Sequence, residues 1–210
     1  MASYFDNVTE TPEFGTLAKL AENLVYRLPG CSDLMILKTL REVYRDFVRR
    51  SCCLRTTRRI LLEEGVRMYP VEPVYGQEVD AIVDVRLDSP RRRAIEFEAV
   101  DGDAPCIVIP ERFVPNGGDD EYILVTVDEL PSLESDKAPK WFIQKHGHSV
   151  CDGVMARLAI MANKPWSDPQ AAQQYRLSYE NAVGAAYLSS LGGGQHGTPA
   201  HDDPAASELI

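Results

Sequence analysis

The sequence predicts an α+β protein: a helical bundle, with N- and C-terminal helices packed together, that carries an inserted antiparallel β subdomain. Three observations lead there. Apolar residues recur three and four apart at both ends of the chain, the period of an amphipathic helix. The middle alternates apolar and polar residues and is broken by turn-forming Gly, Pro and Asp, the pattern of short strands. Helices at the two ends each have a stripe to bury and have to meet, so the strands between them read as an insertion. The expected division is 1–57 with 138–191 for the bundle, 58–137 for the β insertion and 192–210 for a C-terminal arm.

Taken in order, residues 1–13 are polar and without a clear period. A short helix is expected over 14–27, with Leu17, Leu20, Ala21, Leu24 and Val25 on one side, stopped by Leu28-Pro29-Gly30. Ser32 is a good N-cap for a long helix running to about Cys52, and Asp33 suits the positive end of its dipole. Ile36, Leu40, Val43, Tyr44, Phe47 and Val48 form its apolar stripe. From Arg58 the period changes to that of strands. Ile60 and Leu62 alternate with charged neighbours, Glu64-Gly65 turns, and the two prolines keep 68–73 extended. Ala81, Val83, Val85 and Leu87 predict a strand with one buried face; Ile95, Phe97 and Ala99, then 106–109 and 122–127, predict three more. The turns between them fall at 89–93, 101–103 and 115–120. Strands at this spacing suggest a small sandwich or antiparallel sheet.

The most informative stretch lies between Trp141 and Leu188. It predicts two antiparallel helices, 140–162 and 169–188, joined by Asn163-Lys164-Pro165-Trp166-Ser167-Asp168. Pro165 stops the first, and Ser167 with Gln170 has the form of a capping box for the second. Phe142, Val150, Val154, Leu158 and Met161 face Tyr175, Tyr179, Ala182, Val183 and Ala186, while Gly147, Gly153, Ala156 and Ala159 leave room for a partner to come close.

Composition narrows the class. A hydrophobic content of 44% with 26% charged residues is that of a soluble globular chain. No apolar run approaches the roughly 20 residues that cross a bilayer, so no membrane partner is expected. The opening residues lack the basic and apolar regions of a signal peptide, and a cytosolic origin is the expectation. Five cysteines without a Cys-x-x-Cys pair read as separate thiols. The net charge of −10 is segregated: 78–136 holds 16 acids against 5 bases, whereas 38–67 holds 9 bases against 4 acids. Segregated charge of this kind steers or repels partners.

Several candidate sites follow. His146, His148, Cys151 and Asp152 are zinc-ligand types, but on a helix 146 and 148 point about 200° apart, leaving His148 with Cys151 or Asp152 as the set that shares a face. A metal-dependent enzyme is one alternative function on that basis. Asp101-Gly102-Asp103 and Asp119-Asp120-Glu121 are acidic but lack the alternating ligands of an EF-hand. No Gly-x-Ser-x-Gly turn and no Gly-x-x-x-x-Gly-Lys-Ser/Thr loop occurs. The basic run 49–59, with Arg49, Arg50, Arg55, Arg58 and Arg59, suits DNA phosphates, an acidic protein face or solvent, and supports a second alternative, a small nucleic-acid-binding regulator. Gly192-Gly193-Gly194 opens a tail with almost no large apolar residue until Leu209-Ile210, too polar to order by itself.

Leu28-Pro29-Gly30, the helix holding Leu40-Arg41-Glu42-Val43-Tyr44-Arg45-Asp46-Phe47, the strands after it, and Asn163-Lys164-Pro165-Trp166-Ser167-Asp168-Pro169 before a Tyr-rich helix together resemble the head-to-tail connector or adaptor proteins of tailed bacteriophages, including the tubular protein A group. The resemblance covers about Leu24 to Leu188. It implies a helical bundle with a β insertion, no enzymatic activity and no cofactor. It implies a homo-oligomeric ring of about a dozen copies beneath the portal protein, joined below to a tail or nozzle protein. DNA would pass through the channel without sequence-specific binding, and the protein would reside in the virion at the head–tail junction after assembly in the host cytoplasm. On that reading 192–210 is a portal-docking arm, with Gly192, Gly193 and Gly194 at its base and Leu209 and Ile210 as its apolar tip. The same reading makes Arg49, Arg50, Arg55, Arg58 and Arg59 candidates for ring or portal contact.

Overall fold

The computed structural model describes residues 13–73, 76–88, 94–100, 102, 105–114 and 121–191. The order is β1 (Phe14–Thr16), α1 (Ala18–Arg27), α2 (Asp33–Ser51), β2 (Arg55–Leu61), β3 (Met68–Pro70), β4 (Gln77–Leu87), β5 (Glu98–Val100), β6 (Cys106–Val108), β7 (Tyr122–Pro131), β8 (Lys137–Pro139), α3 (Lys140–Leu158) and α4 (Pro169–Leu191). The fold is α+β, as expected, and the helices from the two ends do meet.

Helix α2 is the centre of the helical core. Its Ser32 cap accepts a hydrogen bond from the Met35 amide at 3.3 Å, and its stripe Ile36, Leu40, Val43, Tyr44, Phe47 and Val48 is buried. Against it lie Phe142, Val150, Val154 and Leu158 of α3 and Tyr179, Val183 and Ala186 of α4. The Phe142 ring stands 4.7 Å from Tyr44 and 5.7 Å from Phe47, in the tilted and edge-on arrangements that aromatic quadrupoles favour. Gly153 makes the crossing possible. A methyl group there would come within 2.6 Å of Val43 Cγ1 and 2.7 Å of the Tyr179 ring. Tyr179 also anchors the join, its hydroxyl donating to Asp46 at 2.7 Å.

A second apolar cluster belongs to the strands. β2-β7-β4 and β3-β6-β5 form two antiparallel three-stranded sheets. Val85, Ile123, Val125 and Val127 of the first share a core with Tyr69, Ile107 and the flanking Val71 and Ile109 of the second. This is a small sandwich. Basic residues of α2 bind it to the helices. Arg41, Arg45 and Arg49, four apart on one face of the helix, reach Asp136 at 2.7 Å, Glu78 at 2.8 Å and Asp80 at 3.5 Å.

Several local expectations are corrected. Residues 14–16 are strand and not helix, because they pair with 137–139. A partner more than a hundred residues away leaves no trace in the local period. The expected boundaries at 57/58 and 137/138 fall inside β2 and β8, since β2 begins at Arg55, opposite Asp128. The helix expected to 162 ends at Leu158, and Asn163 takes a left-handed φ of 59° in the loop. The cap of α4 is Asp168, not Ser167: its carboxylate accepts from the Ala171 amide at 2.9 Å. The β4 face is also reassigned. Register shifts between Val79 and Ala81 and between Ile82 and Asp84 each insert one residue, so Val79, Ile82, Val85 and Leu87 face the core while Val83 is 42% exposed. Residue 94 forms a bridge to Arg86, and the strand expected around 95–99 is Glu98–Val100. The turns expected at 89–93 and 115–120, with Asp101 and Asp103, lie outside the described residues.

Two stability outcomes follow. Gly153→Ala is expected to cost about 1–3 kcal/mol through overpacking, seen as a lowered denaturant midpoint. In β4, Val85→Ala should cost roughly 2 kcal/mol, whereas Val83→Ala should stay within about 0.5 kcal/mol by the same measurement.

Candidate interaction surface

The basic run is spent within the chain. Arg49 faces Asp80 at 3.5 Å, and Arg50 holds Glu180 with one contact at 3.1 Å. Arg55 takes Asp128 through two hydrogen bonds of 2.7 and 2.9 Å. Arg58 pairs with Glu129, which is 2% exposed, and Arg59 with Asp88 at 2.6 Å. Arg50 holds the Glu180 carboxyl below the usual carboxylate range. The run straddles the end of α2 and the start of β2, where Arg55, Arg58 and Arg59 lie on a strand opposite acid-bearing β7. Segments of opposite charge in the sequence thus become partners in the fold. Pairing was legible only as a charge imbalance, because which arginine meets which acid depends on strand register.

The zinc-type residues do not converge. His148 is exposed and stands 3.9 Å from the Asp152 carboxylate one turn on. Asp152 is 4% exposed and accepts a 2.7 Å hydrogen bond from Ser178 of α4, so it ties two helices together. Cys151 is buried in the helical core, and burial pushes its thiol up to about 11. His146 is packed against Phe47, Trp141 and Phe142. Among the described residues no group of three or more His, Cys, Asp or Glu is placed to hold a metal ion. Asp119 and Asp120 lie outside the described residues, as do Gly192, Gly193, Gly194, Leu209 and Ile210.

The surface that sequence reading missed is the outer side of α4. Ala172, Tyr179, Val183 and Ala186 face the core. On the opposite side Leu177, Asn181, Gly184, Leu188 and Leu191 follow one another at alternating spacings of four and three residues, the spacing of a helix-packing seam. All five are exposed, Leu177 by 57%, Leu188 by 69% and Leu191 by 58%. From Asn181 to Leu191 there is no Asp, Glu, Lys, Arg or His. Beside the seam a shallow groove of about 240 Å³ is lined by Ala182, Ala185, Ala186 and Ser189 with Lys145 and His146 of α3. A surface helix normally carries charge on its solvent side, and one apolar all round is normally covered on both sides. The sequence conceals this seam because between Asn181 and Leu191 small, apolar and uncharged residues surround the helix, so no single face stands out there.

Helix α1 has an outward feature of its own. Leu20, Ala21 and Leu24 are buried, while Tyr26 is 88% exposed. Both α1 and α4 pack on α2 and α3. The two outer helices meet at one end, where the Arg27 guanidinium stands 5.0 Å above the Tyr175 ring.

No family model matches the chain, and no curated protein matches it.

The arginine pairs give one measurable outcome. Arg58→Ala strips a guanidinium from the buried Glu129 carboxylate and should cost about 3 kcal/mol, whereas Arg59→Ala, on an exposed pair, should cost under about 1 kcal/mol in the same unfolding titration.

Proposed function

We propose that this chain is a structural subunit of a tailed-phage particle, a head-to-tail adaptor that forms a ring beneath the portal and continues the DNA channel toward the tail. The observation that carries the reading is the outward seam of α4, an uncharged leucine-bearing helix face of the kind that assembled subunits cover. The fold supports it. Helices from both ends close on one core while antiparallel strands form another, the arrangement that the resemblance implies. Electrostatics agree with a conduit more than with a DNA-binding surface. Arg49, Arg50, Arg55, Arg58 and Arg59 already face carboxylates of the same chain, and the whole carries a net charge of −10, which opposes adhesion to DNA. Within this reading 192–210 serves as the portal-docking arm.

The test is assembly. Native mass measurement and electron microscopy of the purified chain, alone and mixed with a cognate portal, should give closed rings of about a dozen copies that stack coaxially on the portal. A monomer under both conditions overturns the proposal.

A further inference from the structure

We infer that the free chain pairs with a second copy of itself through the α4 seam, the two helices antiparallel about a twofold axis that passes between Asn181 and Gly184, so that Leu177 of each copy lies on Leu188 of the other. The pairing does not rest on the ring reading. A twofold contact uses the same patch on both copies and closes at two, so it belongs to the chain below the concentration at which rings form and opens when they do. The seam has what such a contact needs. Leu177, Asn181, Gly184 and Leu188 follow one another at spacings of four, three and four residues, and all are exposed. Turned end for end, the same four residues set leucine on leucine at both ends and the Asn181 side chain over Gly184 in between. A methyl group on Gly184 would meet nothing within 4 Å, so the space that Asn181 enters is open. A parallel pair would instead set Gly184 on Gly184 and leave a gap there. Charge selects both the copy and its direction. Each copy carries a net charge of −10, yet from Asn181 to Leu191 neither presents a charged side chain, and Glu180 at the edge of the seam is already held by Arg50. The two seams therefore approach without like charges facing. Arg176 precedes Leu177, so in the antiparallel pair it stands beside the last turn of the other α4, which has no basic residue of its own and whose terminal carbonyls favour a cation. A contact confined to one helix face is smaller than the ~800 Å² per partner of a standard interface, so the pair is weak and reversible.

Charge exchange tests this, read by sedimentation velocity of the full chain below the ring-forming concentration. The wild type should be a dimer in equilibrium with monomer. Leu177→Glu and Leu188→Lys each set a charge against a leucine twice in every dimer, and each alone should raise the dimer dissociation constant about a hundredfold. Both side chains are exposed, so the circular dichroism and melting midpoint of each variant should match those of the dilute wild type. Mixed in equal amounts the variants should restore the dimer, because the introduced carboxylate of the first faces the introduced ammonium of the second, while Leu188 of the first keeps Leu177 of the second. A wild type that shows monomer and no dimer, a single variant that still pairs, or a mixture that stays monomeric, as a seam made for a different protein would give, overturns the pairing and leaves the ring reading to its own test. A chain that pairs as described but never forms a ring on the portal overturns the ring reading and leaves the pairing standing.

Discussion

Helix α2 has a wide apolar stripe to hide, and what covers it comes from the far end of the chain. Val43 and Phe47 are sealed by Phe142, Val150, Val154 and Tyr179, a contact that closes a loop of about a hundred residues. Burial of such side chains contributes roughly 1.5–3 kcal/mol each, enough to outweigh the slowly growing entropy of closing so long a loop. Everything between has to leave the helical body and return to it. The strands do so by pairing antiparallel, and β1 with β8 fixes the return point beside the start of α3, where the Lys140 amide also bonds to the Glu13 carbonyl at 2.7 Å.

The charge pattern acts on the same join. Six arginines of α2 and β2 meet six acids between residues 78 and 136. Arg41, Arg45 and Arg49 make a ladder along one face of α2, and Arg55, Arg58 and Arg59 continue along β2. Most of these pairs are partly solvated and individually weak; as a row they set how the strands sit on the helix more than how stable the whole is. The basic segment therefore orients the strands on the helices, while the exposed side of α4 from Asn181 to Leu191 carries no charge.

The elements differ in how legible they were. The long helix from Ser32 and the strand at 122–127 are visible because each has a single face toward one core, so the period survives in the sequence, whereas the helical hairpin is marked by the turn at Pro165. β4 was misread because its two register shifts move the inward positions from every second residue to Val79, Ile82, Val85 and Leu87. The α4 seam was missed for the opposite reason: its inner and outer faces are both apolar, and periodicity cannot say which of two such faces finds a partner within the same chain.

By itself the sequence determined the fold class, the cap at Ser32, the turn at Pro165 and the need for the two ends to meet, because these rest on neighbours along the chain or on stripes that have to be buried. Only the tertiary structure decided that the arginines of 49–59 are answered by internal acids, that Asp152 reaches Ser178 while Cys151 turns into the core, and that Leu188 and Tyr26 are left exposed. Those outcomes depend on strand register and on which helix lies against which, and both are set by packing between residues far apart in sequence.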